Sequence, residues 1–426
     1  MRIELHSARR KLLFGALCLG LIAGYVYRAG RSYLVSRAAD STDPEVLERA
    51  VRLEPGNAQA WYRLGRVRSV FMQDVPGSIP LLQRALSLDP HHARYWLDLG
   101  LAYQYTGDAA AQRNAIHQAV RYDAHDPDIA WEAGNFYLVA GDTDRALSLF
   151  HNALEGDTPG KNLARAVLLS LRATNNDFVR VVDQVLPRNP YYCLQFAELL
   201  TDARQYQAAD MVWSRAVGLG KHIPIRFAAN YLASLVERNN SARARSAWND
   251  LAKLDPELQP YAYSADNLIV NGRFEHNILN VGFDWHYTVS ENVTLEVDNS
   301  TIHGGTHALL ITFNGQPVSD LGLRQTVPVD GDECYEFSAF LRTSELDSVG
   351  GPRFSLQDVK TAHAYVLTED MTGTHGWEER RQTFRTEPGT HFLELKIVRN
   401  KPDTAIRGRA WTDDLRLTRA APEACR

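Results

Sequence analysis

The side chains of this chain that could do covalent or acid–base chemistry fall into no catalytic spacing. Four cysteines occur, and none is spaced as a metal ligand. Cys18 lies in an apolar N-terminal run and Cys193 in a helical stretch, whereas Cys334 opens an expected strand and Cys425 follows the last one closely. Outside the cytoplasm, Cys334 and Cys425 could bridge and close a loop of about 90 residues. In a reducing compartment they would stay two thiols. Of 14 histidines, seven follow residue 265. His363 and Tyr365 stand two apart on one expected strand face, with His375 and Arg381 further on. They match no acid–base motif, so the chain is expected to be non-enzymatic.

The elements that carry these residues are bounded first by composition. A chain of 426 residues with 45% apolar content holds two or three ordinary domains. The net charge of −5 is uneven: residues 266–426 carry 24 acidic and 16 basic side chains, the remainder 27 and 30. Neither part has the dense basic face that a phosphate backbone requires, so nucleic acid is excluded as a partner.

Arg9, Arg10 and Lys11 precede an uncharged run from Leu12 to Tyr27. As a helix it spans about 24 Å, which Tyr25, Tyr27 and a snorkelling Arg28 extend toward a bilayer core of about 30 Å. The reading is a cytoplasmic segment 1–11, a single-pass anchor 12–30 in the inner membrane and a linker 31–42. The bulk of the chain is then periplasmic, although Arg28, Arg31 and Arg37 weaken the charge asymmetry. A cleaved signal peptide is the rival, without a clear cleavage site.

The middle of the chain repeats. Trp61-x-x-Leu64-Gly65 returns as Trp96-x-x-Leu99-Gly100 and as Ala130-x-x-Ala133-Gly134, and Gly107-Asp108 returns as Gly141-Asp142. The spacings are 35 and 34 residues for the first motif and 34 for the second. Small residues sit where paired helices cross, and Ala50, Pro55, Ala85 and Pro90 close the pairs. This resembles the tetratricopeptide repeat family over 43–156, with a distorted pair at 157–190 and weaker copies around Trp213 and Trp248. The resemblance implies an all-α solenoid over 43–262 whose concave groove holds a protein partner. Its groove positions are Gln59, Tyr62, Arg66, Arg94, Gln104, Asp128, Trp131 and Asn135. Trp131, displaced by one from the core tryptophan position, is either an exposed partner anchor or buried by a slight rotation of its helix. No nucleophile–base pair, phosphate loop or metal cluster occurs in the array.

From residue 266 the apolar period becomes two. Runs at 308–313, 335–341, 354–357, 382–386, 392–398 and 409–417 are expected strands, with turns at Asn314-Gly315, Asp330-Gly331, Gly350-Gly351 and Pro388-Gly389. The opening Asn267-Leu268-Ile269-Val270-Asn271-Gly272-Arg273-Phe274-Glu275, then Gly282-Phe283-Asp284-Trp285, His303-Gly304-Gly305-Thr306-His307 and the closing Ala410-Trp411-Thr412-Asp413-Asp414-Leu415 resemble the jelly-roll carbohydrate-binding modules of xylanases. That resemblance covers 266–420, leaving a tail 421–426. It implies an all-β sandwich and one structural Ca²⁺ on Glu275 with Asp413 or Asp414. It also implies polysaccharide contacts by exposed aromatics, for which Trp285, Tyr365, Trp377 and Trp411 are the candidates. Trp285 and Trp411 fit the core better, and Trp377 is expected in a rim loop.

The whole resembles the anchored repeat proteins of bacterial exopolysaccharide assembly and export. The expectation is a membrane-anchored scaffold with a protein partner in the groove and polysaccharide on the sandwich. A protein–protein scaffold with a structural sandwich is the alternative, and a jelly-roll polysaccharide lyase, using a tyrosine, histidine and arginine, the remote one.

Overall fold

The computed structural model describes residues 8–156, 162–264, 266–318 and 320–425. The chain divides into two compact units, Met1–Pro187 and Arg188–Arg426.

The first unit is helical: α1 (Ala8–Ala39), α2 (Pro44–Leu53), α3 (Ala58–Val70), α4 (Val75–Leu88), α5 (Ala93–Thr106), α6 (Ala109–Tyr122), α7 (Pro127–Val139), α8 (Thr143–Gly156), α9 (Leu163–Ala173) and α10 (Phe178–Gln184). The repeated Gly-Asp pair acquires a local reason. Gly107 and Gly141 both adopt φ +79°, the left-handed turn that ends α5 and α7. Asp108 and Asp142 then accept the amides of Ala111 and Arg145 at 3.0 and 3.3 Å, capping α6 and α8. The repeated glycines serve close packing: a Cβ on Gly100 would stand 2.8 Å from Ile116, and one on Gly134 2.9 Å from Phe150.

α1 is long and apolar enough over Lys11–Ala38 to be a membrane span or a signal sequence. Of the expected segment 1–11, residues 1–7 lie outside the described residues. The expected linker 31–42 is corrected by the structure, since helix continues to Ala39. It does so because its last turns are packed: Val35 is fully buried with Leu47, Ala50, Ala60 and Leu64, and the Ser32 hydroxyl donates to Glu54 at 2.8 Å.

The second unit joins four helices to the sandwich, so the expected boundary near 262 does not separate compact units. The helices are α11 (Pro190–Asp202), α12 (Tyr206–Gly218), α13 (Ile225–Glu237) and α14 (Ser241–Leu254). The strands are β1 (His286–Tyr287), β2 (Val293–Asp298), β3 (Ala308–Pro317), β4 (Asp320–Pro328), β5 (Cys334–Asp347), β6 (Pro352–Asp358), β7 (Ala364–Leu367), β8 (Gly373–Arg385), β9 (Phe392–Arg399) and β10 (Ala405–Arg419). They form two antiparallel sheets of five, β1-β4-β9-β6-β7 and β2-β3-β10-β5-β8, and the chain alternates between them as in a jelly roll. Leu309, Ile311, Phe337, Leu341, Phe354, Leu395 and Leu417 face one another between the sheets. The expected turn at Asn314-Gly315 is instead part of β3, where β10 pairs with Asn314.

Trp248 of α14 holds the two parts of this unit together. Its indole donates to the Tyr261 carbonyl at 2.6 Å, its ring meets Phe283 edge-on, and it lies against Gly282, where φ is +66° and a Cβ would clash. Arg245 pairs with Asp330 at 2.6 Å beside it. Next to Phe283, Asp284 is fully buried; one carboxylate oxygen accepts the Leu279 amide at 2.7 Å, and the other has no hydrogen-bond partner among the described residues. Burial pushes this carboxyl from 3.8 up to about 7. A raised folded-state value means that the protonated form stabilises the fold fully below pH about 4 and that this contribution is lost as pH rises through 7. Ionisation therefore costs roughly 4 kcal/mol at high pH. Melting between pH 4 and 7.5 should show a decline that Asp284→Asn abolishes; an unchanged decline in the variant would assign it to other groups.

Candidate functional site

Three groups of functional side chains are brought together, one in the first unit and two on the sandwich. In the first unit the helices α3, α5 and α7 align a charged ladder. The Tyr62 hydroxyl donates to Asp98 at 2.7 Å, Arg66 and Arg94 approach the same carboxylate at 3.4 and 3.5 Å, and Arg94 reaches Asp128 at 3.0 Å. Burial, then Asp98, pushes Tyr62 up to about 12, so it remains a donor at any working pH. Tyr62 stacks on Tyr95 at 4.2 Å and Tyr95 on His92 at 3.8 Å. Gln59 and Gln104 are exposed. Asp98, the centre of the ladder, was missed from sequence; its signal was the pairing of Arg94 with Asp98 four residues on and with Asp128 one repeat on.

Of the two readings of Trp131, the structure takes the buried one. It is 9% exposed, tilted against Phe150 at 5.3 Å and covered by the Arg165 guanidinium at 5.1 Å. A one-residue displacement rotates a helical side chain by about 100°, and here that turn carries Trp131 inward. Asn135 spends its amide on the Trp131 carbonyl at 2.9 Å. Trp61 and Trp96 are half-buried instead, each donating to the carbonyl of the preceding proline, Pro55 or Pro90, at 3.0 and 2.8 Å.

On the sandwich, the outer face of the β2-β3-β10-β5-β8 sheet gathers aromatic and cationic groups. Trp411 on β10 pairs across to Arg342 on β5, and Trp377 on β8 flanks that position from the other side. Arg342 and Arg409 lie over the Trp411 ring at 6.0 and 5.4 Å, and its indole donates to Asp298 at 2.7 Å. Trp377 is half-buried on a strand, which corrects the expected rim loop: β8 begins at Gly373 and pairs with β5 along its length. Its indole donates to the Ile302 carbonyl at 3.1 Å, and its ring meets His303, which stacks on Phe340 at 3.6 Å. Trp285 is fully buried against Phe274. Tyr365 lies on β7 of the other sheet, its hydroxyl held by Thr390 and the Glu387 amide at 2.7 and 3.0 Å.

The third group is a loop clamp. Asp413 is fully buried and accepts the amides of His303 and Gly304 at 2.9 Å each and that of Asp414 at 2.6 Å. Burial raises its carboxyl against the pull of those amides. Asp414 pairs with Arg273 at 2.9 Å and His303 at 2.7 Å. Glu275 accepts the Thr306 amide at 2.8 Å and the Thr306 hydroxyl; burial would raise this carboxyl, but those bonds and one from His307 hold it at about 2. A Cβ on Gly305 would overlap Glu275, and one on Gly304 would overlap Asp414. Three carboxylates from distant segments thus converge on Gly304–Thr306, a donor set suited by chemistry to a hard cation. The fit to calcium is partial: Arg273 already supplies positive charge, and among the described residues no three or more such ligands surround one point.

Of the acid–base residues, His363 meets Tyr365 edge-on at 4.7 Å, whereas His375 is paired with Glu378 at 3.0 Å and Arg381 with Glu336 and Glu379. Cys334 and Cys425 form a disulfide with Cα atoms 6.0 Å apart.

Residues 97–162 match the tetratricopeptide repeat family. Among solved structures, the chain is similar to an endo-1,4-β-D-xylanase from Clostridium thermocellum comprising CBM22-1 and GH10 modules, with 16% identity and a TM-score of 0.27 over 36% of this chain and 29% of that one. A crystal structure of MamA protein shares 14% identity at a TM-score of 0.30, over 44% of this chain and 92% of that one. The CBM22-1 xylan-binding domain of Paenibacillus barcinonensis Xyn10C shares 14% at 0.25, over 38% of this chain and all of that one. Comparison with the curated proteins finds no match. Residues 97–162 are thus matched as tetratricopeptide repeats, and the C-terminal part folds as two antiparallel five-stranded sheets. Repeats of this kind point to protein–protein interaction.

Proposed function

We propose that this protein is a non-catalytic scaffold of the bacterial cell envelope. α1 anchors it in the inner membrane with its bulk in the periplasm, the Tyr62–Arg66–Arg94 ladder engages a protein partner, and the sandwich binds polysaccharide. Its setting is exopolysaccharide assembly or export. The observation that carries the polysaccharide reading is the outer face where the half-buried Trp377 on β8 stands beside Arg342 on β5, Trp411 next to them being buried. Aromatic faces offer a stacking surface for sugar rings, and guanidinium groups offer paired donors to hydroxyls. The charges of the ladder already satisfy one another, so a partner would add to Arg66 and Arg94 at the exposed end rather than neutralise a bare charge.

Affinity electrophoresis of the detergent-solubilised chain through gels cast with neutral and acidic bacterial polysaccharides tests this. The expected result is retardation by one class, relieved by Trp377→Ala. Free migration through every gel would leave a protein–protein scaffold with a structural sandwich. We extend the proposal to one structural Ca²⁺ held by Glu275 with Asp413 or Asp414, which would tie the Gly304–Thr306 loop to the final strand. Chelation should then lower the melting temperature of the sandwich, and an unaltered value would leave Arg273 as the only cation of that loop.

A further inference from the structure

Within the second unit, α13 stands beside the outer face of the β1-β4-β9-β6-β7 sheet, and a cleft of about 640 Å³ lies between them. This volume falls in the range of small-ligand sites. Its floor is apolar, built by Phe283 and Phe392, whose rings lie nearly parallel at 6.4 Å. Leu232 and Val236 of α13 form the opposite wall. The cleft is held in shape from below by the Trp248–Gly282 contact and the Arg245–Asp330 pair, and at its margin Asn239 donates to the Gly389 carbonyl at 3.0 Å.

The rim decides what could enter. Arg324 and Lys360 both line the cleft and are exposed, and neither side chain makes a hydrogen bond or ion pair with another described residue. Thr326, the Asn280 amide nitrogen and the Asn230 amide oxygen add neutral donors and acceptors, since Asn230 donates to Glu198 and the Asn280 oxygen accepts the Tyr287 amide at 3.1 Å, and Glu237 is the acidic residue of the lining. An apolar floor beneath two free cations and several amides suits a pyranose ring bearing a carboxylate: the ring's C–H face lies on the floor, the carboxylate meets the cations, and the hydroxyls meet the amides. We infer that this cleft between α13 and the sandwich is a binding site for uronate units of an acidic polysaccharide. The site needs both the repeat helix and the sheet, so glycan binding would report on how the repeats and the sandwich are joined. The inference rests on the reading that the sandwich binds polysaccharide, and it adds a second face and a charge selectivity to it.

The test compares polygalacturonate with its methyl ester, which has the same backbone without the charge, in affinity gels of the full chain. Wild type should be retarded more strongly by the acid form. Arg324→Ala, and separately Ala233→Glu, which places an anion at an exposed position of the cleft wall, should each weaken acid-form binding by about tenfold or more, the loss of one charge-assisted contact. Both substitutions lie at exposed positions, and equal melting temperatures would confirm intact folding. Equal retardation by acid and ester in wild type, or an acid preference that survives both variants, overturns the cleft. In that case, retardation still relieved by Trp377→Ala keeps the sandwich as a glycan binder. Absence of retardation by either polymer and by every neutral gel removes both readings.

Discussion

Replacing Asp413 with alanine is expected to lower the melting temperature of the sandwich by about 10–20 °C. The carboxylate is fully buried and accepts three backbone N–H groups, two of them from the His303–Gly304 loop and one from Asp414. Truncation leaves those donors without acceptors, and an unsatisfied buried donor costs about 1–3 kcal/mol. Part of the loop relaxes toward water, so the sum falls at roughly 3–6 kcal/mol, and each kcal/mol shifts a domain of this size by about 2–4 °C. Asp413→Asn retains one acceptor oxygen but turns an amide group toward a backbone donor, so its melting temperature should lie between wild type and alanine. The loop that the clamp releases carries His303, the neighbour of Trp377, so any glycan retardation should weaken with it. Melting followed by circular dichroism decides the matter: an alanine variant within about 2 °C of wild type would show that the loop is closed by Glu275 and Asp414 alone.

What could be read from the sequence was what acts locally. The glycine–aspartate pairs at 107–108 and 141–142 combine a left-handed turn with an N-cap, and both functions are written in two adjacent residues. The same holds for Gly134, whose partner Phe150 lies sixteen residues on in the same repeat. β9 and the later part of β5, each with one buried face, showed their alternation, whereas β10 is buried on both faces over 410–415. β2 was not legible, because it is an edge strand with little buried surface. β8 was legible only near its end, since its first ten residues are largely exposed and polar, as suits an edge.

The site was less legible, because its contacts join distant positions. Asp98 gains meaning only when α3, α5 and α7 are stacked, and Arg273 only when β10 brings Asp414 to it. Trp131 was open to two readings in the sequence, and only the packing decides between them. Its residue type suggested a function, but a rotation of one position places it beneath Arg165. The extension of α1 to Ala39 also escaped notice, since polar residues such as Ser36 and Arg37 read as linker, while Val35 and Ala38 carry the packing that keeps the helix intact.

Reduction of the Cys334–Cys425 disulfide is the second large effect expected. The bond ties the first residue of β5 to the short 3₁₀ turn Pro422–Cys425 across 91 positions, a span that includes β5 to β10. Little else holds the tail: Ala420 donates to the Cys334 carbonyl at 2.9 Å, and the Thr383 hydroxyl donates to Ala424 at 3.2 Å. Loop-closure entropy for such a span amounts to about 4–5 kcal/mol, an upper figure before any strain in the native state. A reductant should therefore lower the melting temperature by up to about 10–20 °C, and Cys425→Ser should reproduce the loss and make melting insensitive to the reductant. The two experiments check each other, because serine also removes the thiol that packs beside Phe384. If the thiols of the reduced protein become alkylated while melting is unchanged, the tail is anchored by its hydrogen bonds and the bond is stabilising nothing. A loss of the expected size would also bear on location, because a domain that depends on this bond would be at a disadvantage in a reducing compartment and suited to an oxidising one such as the periplasm.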